Sequence, residues 1–590
     1  MRTCRLVPAA GGMVTDVSVR LESWYIPADD GAGWFRLRLV NAGPDEVTGF
    51  QLCFQSVGQM TPVDSFVTLV ARQSGHHVIA APSVVLAPGG TWEIGLLACG
   101  HRPGHANDGP VGAYVVLADQ STRAVRTAPT ARAPFVAVGE IPASLVLAAG
   151  AGDDVRAAVA MAAACEQRLV GDGRGVLDGP GDGTPLHVDL DDALGPEAFV
   201  VTERESGLAL RAGATGLPLA LLALARRHRS GGEVGGEHRP RWSWRGLHVD
   251  LARQFFPGDD VLHLIDVAAW HGLNRLHLHL TDDEAWRIPI DDYPALTDIG
   301  AFRGHGLPIP PLLGSGADAY GGSYRPTDIA AWVARGRELG VELVPEIDLP
   351  AHSFAARAAL AELGDPGDTT SARTVQHFTA NVLDPGLTAT WRFLEAVFGS
   401  VADLFPGRWL HVGGDEVPSG AWSGSPAAAR WAADRGLPGT AAIAAEFIGD
   451  IVGLARSTTS RTIGVWQEAA DGGGVAPGDA YVVGWRTAAD CRRLAAAGHD
   501  VVAAPADAYY LDMAASEDWD EPGTSWAGHT SLAEIESFDP VAGWSDIEQT
   551  RLLGVQAAIW TEHAPDRPTL ERLLHPRLAA FARSAWTTAP

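Results

Sequence analysis

From residue 241 onward the chain repeats one rhythm: a short apolar run, a loop, then a helical pattern. The runs are GLHVDL (246–251), RLHLHLT (275–281), VELVPEID (341–348), WLHVGGDE (409–416), TIGVWQE (462–468), YVVGWR (481–486), DVVAAPA (500–506) and VQAAIWTE (555–562). Helical patterns separate most of them, among them 259–272, 326–340 and 387–405. Eight β/α units over 241–590 predict an α/β fold, a (β/α)8 TIM barrel enlarged by loop insertions. An open doubly wound sheet usually places a glycine-rich phosphate turn after its first strand, and GLHVDLARQFF has none.

Two further regions precede this one. In residues 1–137 the runs 17–23, 34–41, 49–56 and 91–98 alternate apolar with polar between Gly, Pro and Asp punctuation. That spacing predicts an N-terminal β-sandwich, read as an accessory or interface domain because no nucleophile or ligand cluster appears in it. Residues 138–240 mix strand-like runs (143–149, 185–190, 198–204, 208–212) with helical patterns at 153–170 and 217–228, which predicts a small α+β domain. The glycine-rich stretch 229–240 reads as a connecting loop.

Composition excludes several classes of partner. The formal charge is −27, from 71 acidic residues against 44 basic ones, all Arg. Nucleic acid and anionic membrane are polyanions and are disfavoured; a neutral sugar is not. The five cysteines are scattered without a CxxC pair, so neither a cysteine zinc cage nor a disulfide framework is expected. The opening MRTCRLVPAAGG lacks the apolar run of a signal peptide, and no stretch approaches the ~20 apolar residues of a membrane helix. A cytoplasmic location is the corresponding expectation. Tryptophan is uneven: of 19, only Trp24, Trp34 and Trp92 precede residue 240.

A parallel barrel carries its active site at the C-terminal strand ends. Those ends hold Asp250 and Arg253, Asp282 and Asp283, Glu346 and Asp348, Asp415 and Glu416, Trp466 and Glu468, Trp485, and Trp560 and Glu562. The sharpest signal is HVGGDEV (411–417), where two glycines precede adjacent carboxylates. A neighbouring charge and partial burial raise one carboxyl pKa and keep a proton available for general acid catalysis. The other reading is an acidic strand terminus that binds solvent or a metal. Adjacent carboxylates on one strand end do not straddle a sugar ring as a nucleophile–acid pair must. They suit one face of it, one at the leaving oxygen and one at a C2 substituent. His277 and His279 share a strand face. They read as packed, hydrogen-bonded core more readily than as metal ligands, and no Lys is present to bridge two metals. No metal or cofactor is expected.

These motifs resemble glycoside hydrolase family 20, the β-N-acetylhexosaminidases. WRGLHVDLARQFF (244–256), NRLHLHLTDDEAWRI (274–288), VPEIDLPAHS (344–353), LHVGGDEV (410–417), YYLDM (509–513) and VQAAIWTEH (555–563) follow in the family's order, and the resemblance covers residues 140–590. It implies that Glu416 is the general acid and base, and that Asp415 orients the substrate's acetamido group and stabilises the oxazolinium formed from it. It implies Asp282 and His352 as support for the acid. Arg245 would grip the 3- and 4-hydroxyls, Tyr510 the acetamido oxygen, Asp512 a hydroxyl, and Glu562 the 4- and 6-hydroxyl edge. Trp466, Trp485 and Trp560 would wall the pocket, with Trp526 and also Trp519 at its rim. Glu284-Ala285 and Ala351 stand where the family has Gln-Gly and Gly, and Glu284 adds a negative charge near the acid.

The expectation is an exo-acting, retaining β-N-acetylhexosaminidase that hydrolyses terminal GlcNAc or GalNAc by substrate assistance. The alternatives are a sugar-binding barrel without turnover and a related exo-enzyme that releases a disaccharide.

Overall fold

The computed structural model describes residues 2–4, 19–26, 33–56, 58–64, 67–73, 75–99, 103–126, 144–170, 175–177, 183–229 and 235–586. The expected boundary at 137/138 lies outside the described residues. So do most of the opening segment read for a leader, residues 17–18 and 143 of two expected strands, and residues 230–234 of the expected loop.

Eight parallel strands close into a barrel: β1 (Trp244–Asp250), β2 (Arg275–His279), β3 (Glu342–Leu349), β4 (Trp409–Gly413), β5 (Thr462–Trp466), β6 (Tyr481–Gly484), β7 (Val501–Ala503) and β8 (Leu552–Ile559). Each apolar run supplies one strand. The runs are nearly continuous because a barrel strand is covered on both faces, by the lumen and by the helical layer. Pairing β1 with β8, Val249 against Ile559, closes the ring. Helices Gly258–Trp270, Pro326–Leu339 and Thr388–Leu404 lie where the sequence places them. Pro326 opens the second of these, at the position where a missing N–H costs no helical bond.

The period of two along each strand sorts side chains between lumen and outer layer. From β1, Leu247 and Val249 join the large core beneath the helices. Trp244 faces inward and packs with Trp409 and Tyr481, ring centroids 5.2 and 5.3 Å away. Above this apolar plug lies a polar layer of His248, His277, His411 and Glu346, all fully buried. The acidic strand ends stand above that layer.

The α+β region forms a five-stranded sheet in the order Leu145–Leu147, Thr184–Leu190, Gly207–Ala212, Phe199–Arg204, Gly236–His238. Helices Asp153–Val170 and Leu217–Arg229 match expectation. The last strand corrects the loop reading of 229–240. Residues 236–238 pair antiparallel with 199–201 despite their glycine and charge, because that sheet edge is open to them.

The N-terminal strands make one hydrogen-bonded path that folds over itself. Thr122–Arg126 bridges its two halves, parallel to Val19–Ile26 and antiparallel to Val111–Val116. Phe35, Leu37, Leu39 and Ile94 of one half share a core with Leu52, Phe54, Ile79 and Val115 of the other, as in a sandwich. This sheet docks on the barrel: Trp519 stacks on Tyr25 at 5.3 Å, and Ala106 N–H donates to the Trp519 carbonyl at 2.8 Å.

Candidate active site

Strand β4 ends at Gly413, and the chain then turns sharply. Gly413 and Gly414 have φ of 71° and 97°, and Glu416 itself sits at 47°. A Cβ at Gly413 would lie 1.7 Å from Asp348 Oδ1, so only glycine admits that carboxyl beneath the turn. The turn brings both acids to His352, whose Nε2 lies 3.5 Å from Glu416 Oε2 and 3.9 Å from Asp415 Oδ2.

Behind His352 runs a buried chain of paired groups. His352 Nδ1 meets Asp282 Oδ1 at 3.0 Å, and Asp282 Oδ2 meets His279 Nε2 at 2.9 Å. His279 Nδ1 continues to Glu346 Oε2 at 2.9 Å. Glu346 also faces His411 Nδ1 at 3.0 Å and His277 Nε2 at 3.1 Å, and accepts from Trp466 Nε1 at 2.7 Å. Burial opposes charge throughout, yet opposite charges win at alternate members. His279 and His352 are held well above the usual imidazole range by Glu346 and Asp282 respectively. Asp282 and Glu346 are held well below the usual carboxylate range, the first by Arg253 and His352, the second chiefly by His279 and His411. Asp415 goes the other way. Burial, aided by Glu468 and Glu416 and against the pull of His352, pushes it up to about 8. Asp348 beneath it is also raised, by burial and by Asp415.

The remaining residues complete one cavity of about 450 Å3, within the range of small-ligand sites. Trp466, Trp485 and Trp560 line it, as do Tyr510, Asp512, Glu562 and the rim residue Trp526. Trp485 Nε1 donates to Glu468 Oε2 at 2.9 Å, and its ring stacks near Tyr510 at 6.3 Å. Trp526, half exposed, stands edge-on to Trp485 at 5.8 Å. Asp512 accepts the Trp560 N–H at 3.2 Å; burial and the Glu562 charge push its carboxyl up to about 8.

Of the thirteen residues placed at the pocket from the sequence, eleven line this cavity; Arg245 and Trp519 do not. Arg245 is the second residue of β1, at the N-terminal end of the barrel, and shares the outward phase of Leu247 and Val249. Its guanidinium is buried against Glu197 of the α+β sheet region at 2.8 Å and donates to the Gly272 and Trp242 carbonyls. The arginine in the pocket is Arg253, beyond the C-terminal end of β1. It meets Asp282 at 2.7 Å, Asp250 at 3.3 Å and Glu562 at 3.3 Å, and lies over Trp560. Trp519 is also displaced from its expected place, buried in the N-terminal core rather than at the rim.

Glu284 lines the cavity, 3.6 Å from Arg253. Burial and the adjacent Asp282 charge hold its carboxyl well above the usual range, which favours the neutral form over the expected charge. Sequence reasoning placed Asp348 and Glu468 at strand ends without a role; both act on Asp415. Among the described residues, His248, His279 and Glu346, or His277, Glu346 and His411, have the spacing to hold a metal ion. In the structure their common partner is the Glu346 carboxylate.

The family model described as "Glycosyl hydrolase family 20, catalytic domain" matches residues 242–589. A β-N-acetylhexosaminidase of Cellulomonas fimi is 33% identical over 414 residues, covering 68% of this chain and 76% of that one. A β-hexosaminidase of Vibrio furnissii is 36% identical over 352 residues, 59% of this chain; the match spans only 57% of that relative's length. Among solved structures, an exo β-N-acetylglucosaminidase of family GH20 from Vibrio harveyi, in complex with N-acetylglucosamine, shares 25% identity. It aligns with a TM-score of 0.82 over 97% of this chain and 95% of that one.

Proposed function

The chain belongs to glycosyl hydrolase family 20, and from that premise we propose that it is an exo-acting β-N-acetylhexosaminidase using the substrate's own acetamido oxygen as nucleophile. The observation that carries this reading is the position of Asp415 and Glu416 on one side of a single tryptophan-walled cavity, both facing His352. Two adjacent acids on one strand end do not straddle a sugar ring as a nucleophile–acid pair must, which favours the acetamido oxygen as nucleophile.

In the first step Glu416 gives its proton to the glycosidic oxygen. The acetamido carbonyl oxygen attacks C1 as the C1–O bond breaks, and an oxazolinium forms. Asp415 accepts the acetamido N–H and meets the positive charge as it develops on the ring. In the second step Glu416 takes a proton from water, which adds to C1 and reopens the ring with net retention. His352, fixed by Asp282, holds a positive charge against Glu416 and orients it. Arg253, Asp512 and Glu562 converge at the far end of the cavity, where a terminal sugar presents its 3-, 4- and 6-hydroxyls; bidentate donors such as Arg suit that edge. An end closed this way admits a chain terminus only, which gives exo action. The tryptophans take the apolar C–H face of the ring.

The test is release of aglycone from an aryl β-N-acetylglucosaminide between pH 5 and 8. Turnover is expected, with Asp415→Asn and Glu416→Gln each lowering kcat by about 10²–10⁴-fold on a natural glycoside. A folded protein that leaves the aryl glycoside intact would overturn the reading.

A further inference from the structure

Two residues just past β5 hold two residues just past β6, one by their backbone and the other by their side chains. Gln467 is fully buried, and its Oε1 accepts the backbone N–H groups of both Trp485 and Arg486, at 2.9 and 3.0 Å. Glu468 takes the side chains of the same pair. Its Oε2 accepts the Trp485 indole N–H at 2.9 Å, and its Oε1 accepts from Arg486 Nη2 at 2.8 Å. The Glu468 side chain is 17% exposed and that of Arg486 50%. The carboxylate is thus a charge-assisted acceptor turned inward, with its counter-charge on the outside. Neither Gln467 nor Glu468 lines the cavity, and neither has a part in the two chemical steps.

Trp485 does line the cavity. Its other ring contacts are loose: Tyr510 at 6.3 Å, Trp526 edge-on at 5.8 Å, and the Arg486 guanidinium 5.4 Å from the ring centre. The bond to Glu468 is the one hydrogen bond that the Trp485 side chain makes among the described residues. The ring's orientation therefore depends on Glu468. This wall stands on the Asp415 side of the pocket, since the Glu468 charge is among those that raise both the Asp415 carboxyl and the Tyr510 phenol.

We propose that Glu468 is a positioning residue that sets the size of the N-acyl group accepted at C2: it pins the Trp485 indole, with Arg486 as its outer counter-charge, so that the space beside Asp415 fits acetyl and excludes longer acyl chains. The inference rests on the hexosaminidase reading, which puts the acetamido group beside Asp415. A fixed wall discriminates by length, because each surplus methylene in a rigid pocket costs about 10–200-fold in kcat/KM. An indole released from its anchor turns aside and gives part of that discrimination away.

The experiment measures kcat/KM for the 4-nitrophenyl β-glycosides of N-acetyl- and N-butyrylglucosamine in the full-length wild type, in Glu468→Met and in Glu468→Gln. Methionine keeps the volume and removes the acceptor; glutamine keeps an oxygen for the indole N–H. The acetyl-to-butyryl ratio is expected to fall about five- to tenfold in Glu468→Met and to stay within about twofold of wild type in Glu468→Gln. General damage to the site lowers both rates and leaves the ratio unchanged, so an unchanged ratio in Glu468→Met overturns the proposal. So does an equal loss of selectivity in Glu468→Gln, or a wild type that takes both acyl groups equally well. Should Glu468→Met not fold, Glu468→Ala, which suits the first turn of the short helix Gln467–Asp471, is read by the same outcomes. A wild type that cleaves neither glycoside defeats the hexosaminidase reading instead, so the two failures are distinguishable.

Discussion

Glu346 holds His279 Nδ1 at 2.9 Å, with both side chains fully buried under the floor of the pocket. Through Asp282 and His352 this pair connects to Glu416, and the charge on His352 is favoured chiefly by Asp282, the member between them. Glu346→Gln would leave the buried His279 with only one of its two carboxylate partners, Asp282. Loss of one partner of such a pair typically costs about 3–5 kcal/mol. Chemical denaturation should show that loss, and kcat should fall more than KM rises, because Glu416 is disturbed while the sugar contacts stay. The pH signs follow from the shifts. The depressed Glu346 carboxyl contributes stability above the ordinary carboxylate range, lost as pH falls through its lowered value. The raised His279 contributes stability that is full below the ordinary imidazole pKa and lost as pH rises through its elevated value. The wild type should therefore be most stable between these limits, and Glu346→Gln should flatten the acid side of that profile.

The two arginines of the first strand region should separate cleanly. Arg253→Met removes the guanidinium that meets Asp282 and Glu562 in the cavity, and kcat/KM on an aryl β-GlcNAc should fall by about 10²-fold or more. Arg245→Met breaks the buried contact with Glu197 at the other end of the barrel. It should lower unfolding stability by about 3–5 kcal/mol while the folded fraction keeps near-normal kcat/KM. A kinetic defect in Arg245→Met without a stability defect would restore the sequence-based assignment.

Asp415 should lose a proton when ligand binds. Burial pushes its pKa up to about 8, which favours the protonated form near pH 6.5, yet it must be a carboxylate to accept the acetamido N–H. Binding of N-acetylglucosamine or an oxazoline mimic should release up to one proton per site and strengthen as pH rises towards 8. Calorimetry in two buffers of different ionisation enthalpy measures this directly, and Asp415→Asn should abolish the release.

Glu284→Gln replaces a carboxyl whose neutral form burial favours with a neutral isostere. The wild-type carboxyl has a raised folded pKa, so its favourable contribution is full below the ordinary carboxylate range and lost as pH rises through the elevated value. The variant should match the wild type at pH 4 and gain on it with increasing pH, by at most about 1.4 kcal/mol per pH unit. Melting curves at pH 5 and pH 8 suffice to check it.

Much of the fold was written in local periodicity. The barrel strands appear as near-continuous apolar runs because both faces are covered, and Asp415, Glu416, Trp485, Trp560 and Glu562 stand where those runs end. Arg245 was misplaced because motif resemblance picks an arginine without its phase. Two residues into β1, it shares the outward parity of Leu247 and Val249 and lies at the wrong end, whereas Arg253 follows the strand's C-terminal Asp250. Trp519 was legible only as a loop tryptophan; its direction is set by docking on Tyr25, a contact across most of the chain. The strand 236–238 was hidden by glycine and charge, and exists because an edge was available to pair with it.

The central claim is that the acetamido oxygen is the nucleophile. It is tested most directly by kcat/KM across aryl glycosides whose N-acetyl group is progressively fluorinated. Each fluorine withdraws electrons from that oxygen, so the rate should fall steeply, by orders of magnitude from N-acetyl to N-trifluoroacetyl. A flat series, with the protein folded and active on the parent compound, would contradict substrate assistance and place the nucleophile on the enzyme.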